Sequence, residues 1–185
     1  MNKFQTYQMR GDFVPPLTGA AIRQKAEHTR KVLDLPPEGL PLWGLLDRLS
    51  DYGLDFDVVE DHNMPCHHAE ACCIPDSGII FIPQKSVRAI DRDEPRMRFT
   101  IFHEIGHFVL GHRKSFARGN QVPKAYLDSE WQADKFSAEL LMPASVIVAE
   151  GINNLAQMRA RFGASGAASA NRLADLRREG LIPKV

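Results

Sequence analysis

The chain has 185 residues, 44% hydrophobic and 25% charged, and its 23 Lys/Arg are balanced by 23 Asp/Glu. That composition excludes a fully disordered chain, a collagen-like repeat and a disulfide-dense mini-protein, and zero formal charge makes non-specific nucleic-acid binding a poor expectation. Its apolar runs, such as Gly78 to Pro83, fall far short of the roughly 18 residues of a membrane span. A beginning without an apolar stretch, together with three cysteines, predicts reduced thiols in a cytoplasmic, single-core protein.

Residues 1–17 carry Gly11, Pro15 and Pro16 and no clear period, so they read as an extended arm. Thr18 suits the N-cap of a helix running to about Leu35, where Pro36 and Pro37 stop it. From Pro41 to about Ser50, Leu42, Leu45, Leu46 and Leu49 form one helical stripe. The pattern then changes to period two. Leu54, Phe56 and Val58 alternate with Asp55 and Asp57, the mark of a strand with one wet face. Ala69 to Ile74, a Pro75-Asp-Ser-Gly78 turn, and Ile79 to Ile82 predict an antiparallel hairpin. The charged run Arg88 to Glu94 is expected to be exposed.

Helical spacing returns from Arg96 to Leu110, with apolar residues around most of the circumference and Gly111 positioned to end it. A further helix starts near Ser129, where Ser129-x-x-Gln132 matches a capping box, and stops before Pro143. Two short helices, Asn153 to Arg161 and Ser165 to Glu179, complete the chain. The expected fold class is α+β: a small antiparallel sheet flanked by helices. The expected organisation is an arm at 1–17, a core at 18–150 and a helical extension, similar to a helix-turn-helix and packed on the core, at 151–185.

The chemistry is concentrated in His103-Glu104-Ile105-Gly106-His107, an H-E-x-x-H on the predicted buried helix. Residues four apart stand one turn above each other, so both imidazoles can reach one ion. Glu104 lies about 100° around the helix from His103, beside the ion rather than on it, where it can act as general base toward water. Two His need a third protein ligand, and Glu130-Trp-Gln-Ala-Asp134 is the best supplier. Glu130 can ligate while Asp134 holds the second N–H of a ligating His, with Asp134 or Asp128 as substitutes for Glu130. A solvated acidic first turn is the bland alternative for Glu130 alone. Zinc fits this ligand set, and manganese or iron could occupy it.

The run Arg98 to His107, followed by Glu130-x-x-Ala-Asp-x-Phe-x-Ala-Glu-Leu-Leu-Met-Pro143, resembles the ImmA/IrrE metallo-endopeptidases over roughly residues 20 to 180. The resemblance implies a cytoplasmic bacterial peptidase with a thermolysin-like core, acting in transcription regulation or the stress response. It implies His103, His107 and Glu130 as metal ligands and Glu104 as general base. The implied partner is a protein substrate, a helix-turn-helix repressor or antitoxin-like protein encoded nearby; neither direct nucleic-acid binding nor a membrane is expected. Asp134 stands where the family usually has Asn. The chain ends at Val185 without room for the sensor-like domain of longer members, so a signal is expected to enter another way.

Other features invite blander readings. His62, Cys66, His67, His68, Cys72 and Cys73 fit no zinc template, and adjacent Cys72 and Cys73 should face opposite ways in a strand. Tyr126 and His112 are candidates for oxyanion stabilisation, although His112 reads more simply as a helix C-cap. Residues 151–185 hold six Lys/Arg against two Asp/Glu, compatible with DNA binding but equally with a layer packed through Leu173, Leu176 and Leu181. The competing function class is a non-proteolytic, metal-containing regulator that binds a repressor or DNA. An intact Glu104 argues against it, since a structural metal needs no base.

Overall fold

A computed structural model describes residues 7–36, 39–113 and 124–184; the first six residues of the arm, Pro37 and Val185 lie outside them. Eight α-helices and three strands are found among the described residues. Helix α1 (Gly19–Val32) is capped by Thr18, whose Oγ1 accepts from Ala21 N–H. Helix α2 (Leu42–Leu49) buries all four leucines of its stripe. The strands are β1 (Asp55–Val59), β2 (Cys72–Ile74) and β3 (Ile79–Pro83), in the order β1-β3-β2.

The α+β class holds, but the sheet is mixed rather than antiparallel. The hairpin β2–β3 is antiparallel as expected, whereas β1 runs parallel to β3. The physical reason is burial. Strand β3 is the most apolar of the three, with Ile80 and Ile82 fully buried, and it takes the centre; Asp55 and Asp57 suit β1 to an edge.

The charged run Arg88 to Glu94 is largely exposed as expected, but it overlaps helix α3 (Gln84–Asp91), whose Ser86 and Ile90 are buried beneath the charges. Two further expectations need correction. In the tail Leu181 is exposed, and Ile182 takes its place in the core. The cysteines are not all free thiols either. Cys66 and Cys72 form a disulfide across a loop short enough to bring their Cα atoms to 6.1 Å, and Cys73 is free and buried.

Helix α4 (Pro95–Val109) and helix α5 (Ser129–Leu141) pack against each other, and α1 covers α5. Asp128, not Ser129, is the N-cap of α5. Short α6 (Ala144–Ala149) leads to α7 (Leu155–Phe162) and α8 (Gly166–Arg178), capped by Asn154 and Ser165. Met158, Phe162, Leu173 and Leu176 join the same cluster as Leu46, Ile80, Ile101 and Phe136, so the tail contributes to one core. Its anchor is polar as well: the buried Arg172 pairs with the buried Glu139 of α5, which also receives Arg23 of α1. Removing one member of such a pair strands a buried charge, at a cost of about 3–5 kcal/mol.

The close approach of α4 and α5 depends on Gly106. A Cβ there would meet Phe136 Cδ1 at 3.1 Å and the Ala133 backbone at 3.3 Å. Alanine in a helix interior normally gains about 1 kcal/mol over glycine, but overpacking costs about 1–3 kcal/mol, and backbone yields less readily than a side-chain tip. Gly106→Ala should therefore lower the thermal midpoint by prising α4 and α5 apart. A midpoint equal to or above wild type would show that the helices separate freely.

Candidate metal centre

His103, Glu104 and His107 project from α4, and Glu130 and Asp134 from the first turns of α5. The helix-on-helix contact brings them together. The Glu130 carboxylate straddles the histidines, with Oε2 at 3.2 Å from His103 Nε2 and Oε1 at 3.3 Å from His107 Nε2. The two Nε2 atoms are 3.0 Å apart. Among the described residues, these three side chains form the group whose donor atoms, all within 4.8 Å of one another, could hold a metal ion. Neither the His62–Cys73 cluster nor Asp128 belongs to it.

Asp134 lies behind His103, accepting from its Nδ1 at 3.0 Å. Its other oxygen accepts from Arg10 of the arm at 2.7 Å. Asp128 is fully buried and serves the fold: it accepts from Glu130 N–H at the start of α5, and from the Tyr7 hydroxyl and the Arg10 and Gly11 N–H groups. Gly11 is needed in this crossing, because a Cβ would collide with Ser129 Oγ and Glu130 Cγ. Glu104 stands between the histidines and the sheet, where its carboxylate accepts the Cys73 backbone N–H at 2.6 Å.

The electrostatics follow from burial and pairing. Burial would lower the His103 imidazole, but hydrogen bonds to Asp134 and Glu130 outweigh it and raise it to about 10. Glu130 is held well below the usual carboxylate range by its hydrogen bonds to His103 and His107, against the opposing effect of burial. Asp134 is also lowered: burial pushes it up, and His103 and Arg10 overcome that. For Glu104 burial prevails and the carboxyl is raised, despite the positive field of the histidines and the Cys73 N–H. Burial, reinforced by Glu104, pushes the Cys73 thiol up to about 12, so it is a neutral neighbour.

The two candidates for oxyanion stabilisation part company. Tyr126 is partly exposed, with Lys124 over its ring. His112 is buried behind His107, its Nδ1 3.0 Å from His107 Nδ1. It is not simply a cap, and burial lowers it to about 4. Sequence reasoning missed Arg10, Cys73 and Gln132. Arg10 reaches Asp134 across more than a hundred residues, so no local spacing marks it.

Residues 87–174 match the family model of the IrrE N-terminal-like domain of the M78 peptidases, which bears out the resemblance read from the two motifs. No curated protein matches the chain. A solved structure of a Mycobacterium tuberculosis transcriptional regulator is similar over 83% of this chain and 46% of its own, at 16% identity and a TM-score of 0.49. The chain thus spans about half the length of that protein. Among the described residues no helix is long and apolar enough to cross a membrane.

The shifts predict how the chelated protein responds to pH. The raised His103 contributes stability that is complete below the unfolded imidazole value of about 6.5 and is lost as pH climbs toward about 10. The lowered His112 acts oppositely: its contribution is complete above about 6.5 and is lost as pH falls toward about 4. Thermal midpoints of the chelated protein should peak near pH 6.5, and saturating zinc should flatten the alkaline side by replacing the His103 proton. Midpoints that keep rising to pH 9 after chelation would contradict the arrangement.

Proposed function

We propose that this chain, which belongs to the IrrE N-terminal-like family of M78 peptidases through residues 87–174, is a cytoplasmic zinc-dependent endopeptidase. The observation that carries the reading is the convergence of His103, His107 and Glu130 from two helices, with a separate half-buried carboxylate, Glu104, beside them. Two imidazole nitrogens and one carboxylate suit zinc and leave the open fourth position of a catalytic site, whereas a structural zinc is usually closed by four protein ligands. Manganese suits the same set of nitrogen and oxygen donors.

When bound, the ion would polarise the scissile carbonyl and make water nucleophilic near neutral pH. Glu104 takes the proton of the attacking water and delivers it to the leaving amine. Its raised affinity for protons brings it closer to the operating pH, which favours both transfers. The Cys73 N–H steadies the carboxylate between them. Asp134 keeps the His103 Nδ1 proton engaged, so that Nε2 is the nitrogen offered to the ion.

The substrate binds as an added strand on β2. Strand β3 is paired on both sides, whereas β2 is the open edge nearer α4. Backbone pairing demands little of the substrate sequence, so selectivity must come from docking. A cleft of about 610 Å³ between α4, α5 and α8, with Thr100, Trp131, Asp134 and Arg178 on its walls, is suited to that role. In keeping with the family resemblance, the substrate is a helix-turn-helix repressor or antitoxin-like partner encoded nearby.

The test incubates the protein with its neighbouring-gene product and zinc and follows both by intact mass. Wild type should yield defined fragments, and chelation should stop cleavage until zinc is restored. Glu104→Gln should retain zinc while losing about 10²–10⁴-fold in rate, the range of general acid–base contributions. Undiminished cleavage by Glu104→Gln would sink the mechanism, and an uncut but co-purifying partner would favour the binding regulator.

A further inference from the structure

We propose that His112 and Gln132 are positioning residues that hold His107 in its Nδ1–H tautomer and thereby present the Nε2 lone pair to the metal. This rests on the metal reading above and adds to it two residues outside the H-E-x-x-H motif. The polarity is set at Gln132, which is 1% exposed. Its Nε2 donates to two backbone carbonyls, those of Pro15 and Tyr126, each at 2.8 Å. A carbonyl only accepts, so the nitrogen must face those two groups and Oε1 must face the other way.

There Oε1 meets His112 Nε2 at 3.1 Å. An amide oxygen also only accepts, so His112 Nε2 carries the proton, and in a neutral imidazole Nδ1 is then bare. His112 Nδ1 is 3.0 Å from His107 Nδ1. Two bare nitrogens cannot bond, so His107 Nδ1 is the donor. Its Nε2 is left with a lone pair, and this is the nitrogen that faces Glu130 Oε1 at 3.3 Å and His103 Nε2 at 3.0 Å. Each link has one allowed polarity, set by two peptide carbonyls.

The two ligands are thus held by different means. Asp134 engages His103 with a charge, and the His112–Gln132 relay engages His107 with neutral groups. A carboxylate behind each histidine would add a further negative charge to a site that already holds Glu104, Glu130 and Asp134. The relay also makes the metal site depend on the arm, since Pro15 supplies one of the two anchoring carbonyls.

The test measures zinc affinity by competition with a chromophoric chelator, alongside thermal melts of each chelated protein. His112→Phe retains bulk and burial but offers His107 no acceptor, and should bind zinc about 10–100-fold more weakly, the usual loss for an outer-shell partner. His112→Asn can still accept from Nδ1–H through its side-chain carbonyl, and should restore most of the affinity. Gln132→Met removes the polarity while leaving His112 in place, and should weaken binding even if His112→Phe fails to fold. Histidine-selective ¹⁵N NMR of the zinc-loaded wild type should show His107 protonated at Nδ1. Wild-type affinity in both His112→Phe and Gln132→Met, or coordination through His107 Nδ1, would overturn the relay. Failure of the wild type itself to bind zinc would instead overturn the metal reading, and the relay with it.

Discussion

The contact between α4 and α5 at Gly106 is the constraint on which the site depends. Two helices carry the side chains that could hold a metal, and only a close approach lets Glu130 reach two imidazoles on the neighbouring helix. Glycine on α4 faces the Ala133 backbone on α5, three positions beyond Glu130. The same contact sets Phe136, fully buried, beneath the site as part of the main core. Packing and chemistry therefore share one interface, and a change in helix separation is felt in both.

That interface gathers several ionisable groups in a small volume, and the fold compensates each. Glu130 rests between two histidines, Asp134 between His103 and Arg10, and Glu104 against a backbone N–H. Buried groups of this kind are costly when unpaired, so each partner restrains the position of its neighbour as well as its charge. Glu104 has the sparsest compensation, and of the three carboxyls it is the one that burial raises, whereas Glu130 and Asp134 are lowered. The division between well-paired Glu130 and Asp134 and a loosely compensated Glu104 sets two kinds of carboxylate side by side, a pattern typical of functional sites.

The arm is the least expected contributor. Asp128, fully buried, caps α5 and also accepts from three groups of residues 7–11, so the helix carrying Glu130 begins where the arm is docked. From the same segment Arg10 reaches Asp134 and Pro15 reaches Gln132. A stretch without periodicity thus supports His103 through Asp134 and His107 through Gln132 and His112.

The local patterns legible in the sequence were those written in short-range spacing. The i, i+4 repeat put His103 and His107 on one face, Thr18, Asn154 and Ser165 stood at or beside helix starts, and the Pro75–Gly78 turn closed a hairpin. Such signals survive because backbone geometry acts over a few residues. Charges on the outer face of α3 concealed its two buried positions, and nothing local could say that β1 would pair in parallel with β3. The sequence by itself determined the H-E-x-x-H motif, the main helices and the α+β class. Tertiary structure decided the strand order, the turning of Glu104 toward Cys73, the roles of Arg10, His112 and Gln132, and the Cys66–Cys72 bond, because each depends on groups brought together only when the core closes.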